Sequence, residues 1–215
     1  GSTQIDRAIR ARGGPLTSLE READATVYRE FPGEWSWEMG YRVPDLFRWT
    51  LHVSGEDQSY VDDGHAVTLF LGSAALPVDA AAAASFRTQA RFVGVTMLDV
   101  VARSGDARLA EIAPGELPPG AARGVRVRYA GDGLTYDLFF DAADLLVAAS
   151  GPVSMPPVGA GILRAEYSDF RVVDGYTLPY RVRYTLDGAP LADERVKDLV
   201  PNSPELGEAS FATGG

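Results

Sequence analysis

Residues 35–71 constrain the fold more than any other part of this chain, because large apolar residues alternate with polar ones along them. In the segment 35–43, every second residue is large and apolar, and the residues between are polar or small. The alternation resumes after Pro44-Asp45 and again after a turn at 61–64. A period of two is typical of an antiparallel strand with one buried face. The stretch therefore predicts amphipathic strands whose apolar face is rich in tryptophan.

Composition excludes several classes of function. The 215 residues include no cysteine, which excludes disulfides, thiolate metal ligands and cysteine nucleophiles. The net charge of -10 argues against binding to nucleic acid or through a polybasic patch to a membrane surface. No apolar run is long enough to span a bilayer.

We expect a single domain over 1–215, with Gly1-Ser2 as a cloning scar and an irregular tail over 201–215. We also expect an exported chain whose signal peptide lies outside this sequence.

Two helices are expected. The first covers residues 3–12 and ends at Gly13-Gly14-Pro15, where glycine and then proline stop a helix. The second covers residues 79–104, with Asp79 as a candidate N-cap and an alanine run of high helix propensity. Because its apolar residues follow helical spacing along one face, this helix should pack on a sheet.

The second half of the chain reads as further strands joined by Asp-Gly turns, a strong hairpin signal. Two Pro/Gly-rich segments, 113–120 and 151–159, are expected to be loops. The second is either a solvated connector or a contact for a membrane or partner through Met155. About ten strands in all suit the α+β class, with a single curved antiparallel sheet.

Three segments resemble a known family. The segments 43–49 (VPDLFRW) and 59–64 (SYVDDG) resemble the LolA/LolB-like outer-membrane lipoprotein carriers, which have a Pro-x-Leu-Phe-x-Trp strand followed by a Val-Ser-Asp-Gly turn. The segment 167–179 (YSDFRVVDGYTLP) resembles the lipoprotein-sorting relatives of that superfamily. The order of helices and strands is also similar over most of the chain. One departure is that the strand after Gly64 contains a single aromatic residue, and no arginine can be assigned as the latch of a lid.

The resemblance implies a half-barrel whose helices cover the concave face of the sheet. It implies a non-enzymatic carrier or binding protein, periplasmic or outer-membrane-associated, that holds a lipid or a lipoprotein acyl chain in an apolar cavity. A lipoprotein or envelope protein would be a further partner. The residues expected to line the cavity are Trp35, Trp37, Met39, Tyr41, Phe47, Trp49, Leu51, Val67, Leu69, Phe86, Val93 and Met97.

Other interpretations remain open at this stage. The apolar face is equally compatible with an ordinary core against the helix at 79–104. The same fold could serve as a protein-interaction or sensor domain of the envelope, or as a structural protein. An enzyme has little support, since Asp62 and Asp63 belong to turn chemistry and the two histidines, His52 and His65, form no triad or zinc motif. We therefore expect no catalytic residue, no metal site and no cofactor.

Overall fold

The part of the chain that the structure describes forms one antiparallel sheet of thirteen strands. The structure, a computed structural model, describes residues 3–53, 55–155 and 157–212. In chain order the strands are β1 (Ser18–Val27), β2 (Gly33–Arg42), β3 (Leu46–Val53), β4 (Glu56–Asp62), β5 (Val67–Leu71), β6 (Ala74–Pro77), β7 (Ala107–Glu111), β8 (Arg123–Tyr129), β9 (Thr135–Phe140), β10 (Leu146–Met155), β11 (Gly159–Val173), β12 (Tyr176–Leu186) and β13 (Ala189–Pro201).

The sheet consists of two meanders that meet in its middle. The strand order is β6-β5-β4-β3-β2-β1-β13-β12-β11-β10-β9-β8-β7, so the first strand pairs with the last. The sequence predicted about ten strands, and the structure has thirteen. Strand β4 was missed because its first residues are polar, and β6 because Gly72 and Pro77 indicated a bend. The expected class, a curved antiparallel sheet with helices on one face, is confirmed.

Three helices follow from local signals in the sequence: α1 (Gln4–Ala11), α2 (Ala80–Thr96) and α3 (Asp99–Arg103). The side chain of Asp79 accepts a hydrogen bond from the Ala82 amide at 2.8 Å, so the expected N-cap is confirmed. The prediction of one helix over 79–104 is wrong, because Leu98 has a φ of 65° and breaks it into α2 and α3. Residues in this region of φ/ψ space cannot continue a right-handed helix.

A buried ion pair joins α1 to α3. The Arg12 guanidinium contacts the Asp99 carboxylate and donates to the Met97 carbonyl at 2.5 Å. The same carboxylate accepts the Leu16 amide at 3.1 Å. Burial lowers the pKa of Arg12, although the Asp99 charge opposes this. The end of α1 is therefore fixed to the start of α3 by charged hydrogen bonds away from water.

Helix α2 forms hydrogen bonds with the part of β10 that extends beyond its pairing with β9. Strand β9 pairs with β10 only as far as Ser150, so the backbone of β10 beyond that point needs partners on one side. Thr88 accepts the Ser154 amide at 2.7 Å, and Gln89 donates to the Ser154 carbonyl at 3.1 Å. The predicted loop over 151–159 is therefore wrong, since most of it belongs to the hairpin of β10 and β11.

The C-terminal segment packs on the outer face of the sheet. Leu206 and Phe211 are buried together with Val61, whose side chain lies on the face opposite to the helices. Phe211 belongs to a 3₁₀ turn, Glu208–Phe211. Residues 1–2, the expected cloning scar, and 213–215 of the tail lie outside the described residues.

Candidate ligand cavity

A cavity of about 640 Å³ lies between the concave face of the sheet and helix α2. Its walls come from β1–β4 on one side, from β11–β13 on the other, and from α2 above. The two walls meet in places, since Met39 and Phe47 of one wall belong to the same buried cluster as Leu178 of the other. Ligand sites in proteins have volumes of roughly 300–1,000 Å³ and mostly apolar linings. The cavity is of a size to accept an apolar small molecule or part of a lipid.

Nine of the twelve residues that the sequence indicated line this cavity. They are Trp35, Trp37, Met39, Phe47, Trp49, Leu51, Phe86, Val93 and Met97. Six of them lie at alternate positions of β2 and β3, which face the helices as the period of two predicts, and the other three lie on α2 and at its C-cap. The strand pattern thus identified residues of one wall of the cavity, and the helical pattern identified residues of α2 above it.

Tyr41, Val67 and Leu69 do not line the cavity. The Tyr41 ring fills the space directly beneath Gly94 of α2, where the helix touches the sheet. Val67 is buried in the core cluster beside this contact. Leu69 lies on β5 opposite Tyr60, one strand beyond the wall that β3 and β4 form. These three residues lie on the expected face of the sheet, but beyond the cavity wall.

Aromatic side chains hold the helix to the sheet at the cavity wall. The Phe86 ring on α2 lies 5.2 Å from Phe47 and 5.4 Å from Tyr60, centroid to centroid. Within the sheet, Trp37 and Trp49 pack edge to face at 5.9 Å. Contacts of this kind contribute beyond their buried area and fix ring orientation. The tryptophan-rich face predicted from the sequence is therefore a rigid wall.

The opposite wall was not assigned from the sequence. It is formed by side chains from the second half of the sheet, among them Leu163, Tyr167, Leu178, Tyr184 and Ala192. The alternation along β12 indicated a buried face, but no local signal pairs β13 with β1. Met155 and Val158, expected in a solvated connector or an external contact, instead line the cavity.

Residues of two hairpin turns line the cavity where its lining is exposed to solvent. Phe31 in the β1–β2 turn and Pro157 in the β10–β11 turn both line the cavity and are exposed to solvent. The Phe31 side chain is 61% exposed. Trp35 donates from its indole nitrogen to the Phe31 carbonyl at 3.0 Å, which orders the turn at this rim. Leu16 and Leu98, both buried, line the cavity beside α1 and α3.

A charged pair forms part of the otherwise apolar wall. The Nε atom of Arg21 lies 3.0 Å from Oε1 of Glu194, and the Tyr184 hydroxyl donates to the other carboxylate oxygen at 3.2 Å. The Glu194 side chain is 1% exposed and that of Arg21 is 14% exposed. Both residues line the cavity, and sequence analysis missed both. Charged residues in a strand pattern indicate the solvent face, so no signal in the sequence pointed to them.

Burial changes the acid–base properties of this pair. It raises the pKa of the Glu194 carboxyl, and the Arg21 charge offsets only part of that effect. Burial by itself would lower the pKa of Arg21, but the Glu194 carboxylate outweighs it, so that the pKa is raised. Burial likewise raises the pKa of the Tyr184 phenol. Arg21 therefore keeps its charge, and the Glu194 carboxyl is the acidic group that lies beside it.

The remaining candidate groups have structural roles. Asp62 binds Arg87 of α2 at 3.0 Å and accepts the Gly64 amide, as a turn aspartate does. His52 hydrogen-bonds Asp57 at 2.8 Å on the outer face of the sheet. Within residues 3–53, 55–155 and 157–212, no group of three or more histidines and carboxylates could hold a metal ion. No helix in this part of the chain is both long and apolar enough to cross a membrane.

The structure is similar to solved structures that share little sequence with it. A LolA superfamily protein from Nitrosomonas europaea matches with a TM-score of 0.60 and 11% identity, over 97% of this chain and 96% of that one. A DUF1329 family protein from Desulfovibrio piger matches with a TM-score of 0.61 and 10% identity, over 97% and 98%. An outer membrane lipoprotein-sorting protein domain from Vibrio parahaemolyticus matches with 0.54 and 10%, over 97% of each chain.

These matches extend over nearly the whole chain and establish its architecture. The protein has a LolA-like fold, as the resemblance in its sequence predicted. No protein-family model matches the chain, and no curated protein matches it in sequence. At identities of 10–11% the likeness concerns the fold. Function must therefore be argued from the cavity itself.

Proposed function

We propose that this protein is a non-enzymatic binding protein or carrier of the cell envelope that holds an acyl chain, of a lipid or a lipoprotein, in its cavity. The observation that carries the proposal is the cavity of about 640 Å³, lined by tryptophan, phenylalanine and aliphatic side chains and partly open to solvent. The solved structures of similar fold support it, because one is a lipoprotein-sorting protein domain. A lipoprotein or another envelope protein would be the partner that delivers or receives the chain.

The energetics suit an acyl chain. Each methylene that leaves water for an apolar cavity contributes about 0.8 kcal/mol, so a long chain binds tightly without many polar contacts. Because the wall is built from side chains fixed in a sheet, little ordering is required when the chain enters. The exposed apolar rim at Phe31 would meet the chain first. Selection would then depend on volume and chain length.

We further propose that residues 1–215 make up one LolA-like domain, since a single sheet contains strands from both halves of the chain. An interaction or sensor domain of the same fold would need no internal space. The open cavity therefore favours the carrier over that alternative. A structural protein would likewise be expected to fill this volume with side chains.

The test is native mass spectrometry of the protein as purified from a bacterial host, followed by extraction and identification of any bound lipid. We compare Leu51→Lys with His52→Lys. Leu51 lines the cavity, whereas His52 lies next to it in the chain and faces Glu38 and Asp57 on the outer face. We expect bound lipid in the parent and in His52→Lys, and its loss in Leu51→Lys.

The comparison is controlled because both variants place the same charge in the same strand. Circular dichroism and thermal unfolding establish that each variant is folded. If neither the parent nor His52→Lys binds lipid, and neither takes up a fluorescent fatty-acid ester, the proposed function is wrong. If Leu51→Lys keeps the lipid as well as the parent does, the lipid binds elsewhere.

A further inference from the structure

The charged pair of Arg21 and Glu194 is placed where an apolar cavity would not need one. Arg21 on β1 reaches along the sheet to Glu194 on β13, which lies opposite Ala25 in the strand register. Both charges line the same cavity as the tryptophans. Replacing such a pair by apolar residues is often neutral or stabilising, so stability alone does not account for it. We therefore consider a role of this pair in contacting the ligand.

Part of the Arg21 guanidinium has only a weak acceptor in the protein. Its Nε atom lies 3.0 Å from the Glu194 carboxylate and the Tyr184 hydroxyl also interacts with the group, whereas Nη2 has the thioether sulfur of Met39 at 3.5 Å. A thioether is a weak acceptor. A buried donor is stabilised most by an oxygen acceptor that binds beside it in the same water-excluded space. Arg21, the more exposed member of the pair, is therefore set to donate to an oxygen atom of the bound molecule.

The net charge of the Arg21–Glu194 pair determines which type of ligand oxygen is favoured. Arg21 and Glu194 together are neutral, so a ligand carboxylate would bring an uncompensated negative charge close to Glu194. A carbonyl oxygen accepts the same hydrogen bond and brings no net charge. Burial of an unpaired charge costs far more than burial of a hydrogen-bonded carbonyl. The pair thus favours an uncharged acyl ester over a free fatty acid.

We propose that Arg21, balanced by Glu194, is the anchor for the ester carbonyl of the bound acyl chain, and that the cavity binds acyl esters in preference to ionised fatty acids. This inference rests on the proposed function and adds the chemical class of the ligand. The chain itself would lie along the tryptophan wall. Tyr184 holds the second oxygen of Glu194 and so keeps the carboxylate beside the guanidinium.

The test is competition against a fluorescent apolar probe, N-phenyl-1-naphthylamine, at pH 8. The competitors are methyl dodecanoate, dodecanoate and tridecane, which share chain length and differ in the head group. We expect methyl dodecanoate to bind about tenfold or more tighter than the other two, the range of a hydrogen bond to a charged donor. Tridecane reports on the apolar cavity alone.

Three variants separate the role of each charge. Arg21→Met should reduce methyl dodecanoate to the affinity of tridecane. Glu194→Gln should reverse the preference toward dodecanoate, because the Arg21 charge is then uncompensated. Arg195→Met removes a neighbouring charge on the exposed face and should leave the ester preference unchanged. If a single variant fails to fold, Arg21→Met/Glu194→Gln removes both charges together and should abolish the preference.

The outcomes distinguish this inference from the function on which it rests. Displacement by tridecane with equal affinities for ester and carboxylate in the parent would overturn the anchor and leave the cavity function standing. An ester preference that survives in Arg21→Met or in the double variant would also overturn it. Failure of all three competitors to displace the probe would overturn the proposed function and the anchor with it.

Discussion

Gly94 of α2 lies directly over the ring of Tyr41 on β2, so close that a Cβ atom on Gly94 would stand 2.3 Å from the Tyr41 hydroxyl oxygen. The hydroxyl donates to the Pro44 carbonyl at 2.5 Å, and the ring is buried. Displacing the Tyr41 side chain would therefore cost free energy. This contact sets how near the helix lies to the sheet, and with it the height of the cavity.

We expect Gly94→Ala to lower the free energy of unfolding by about 1–3 kcal/mol, the usual cost of overpacking. Alanine gains up to about 1 kcal/mol of helix propensity, which reduces the loss without reversing it. Urea denaturation, read as a change of midpoint at constant slope, measures the effect. Gly105→Ala is the control, because no atom lies within 4 Å of the added methyl group. Equal midpoints for the two variants would contradict the close contact.

The pair of Arg12 and Asp99 gives a second prediction. Asp99→Asn keeps the shape of the side chain but leaves the Arg12 charge buried without its partner. We expect a loss of about 3–5 kcal/mol in the free energy of unfolding. The matched control is Asp137→Asn, which breaks the 2.8 Å pair with the exposed Arg126 and should cost about 1 kcal/mol or less. Similar losses in both variants would mean that the Arg12 pair is not a buried one.

Buried tyrosines predict how the protein responds to alkali. Burial raises the pKa of Tyr167 to about 12 and raises the pKa of Tyr41, Tyr136 and Tyr184 as well. The folded state holds these protons more tightly than the unfolded chain does, so stability falls as the pH rises above about 10, the ordinary pKa of tyrosine. We expect part of the phenolate absorbance at 295 nm to appear together with the loss of far-ultraviolet circular dichroism. Complete ionisation of all tyrosines with native circular dichroism would contradict this burial.

The parts of the fold that sequence reasoning found depend on short-range patterns. The alternation in 35–43 places Trp37 and Met39 on the cavity face because a strand has a period of two wherever it is found. Asp79 caps its helix through a contact within three residues. These features need no knowledge of the partner strands.

The parts that it missed depend on distant contacts or on conflicting local signals. Gly151 and Pro152 suggested a loop, yet Gly151 lies in β10 because the Tyr136 ring occupies the space of a Cβ atom, 2.2 Å from it. Arg21 and Glu194 meet only because the first and last strands pair, and a bulge at Lys197 shifts their register. A charge that is neutralised by a residue far along the chain cannot be told from a solvated one in the sequence.

The most direct test of acyl-chain binding in the cavity uses the fluorescence of the tryptophans in its wall. All three tryptophans of the chain, Trp35, Trp37 and Trp49, line the cavity, so their emission reports on its content. We would titrate the protein with methyl 9,10-dibromostearate, whose bromine atoms quench tryptophan on contact, and with unbrominated methyl stearate as the reference. We predict that the brominated ester quenches the tryptophan emission saturably. This quenching should be lost in Leu51→Lys and retained in His52→Lys. Equal emission with the brominated and unbrominated esters, at concentrations that displace a bound probe, would contradict an acyl chain in this cavity.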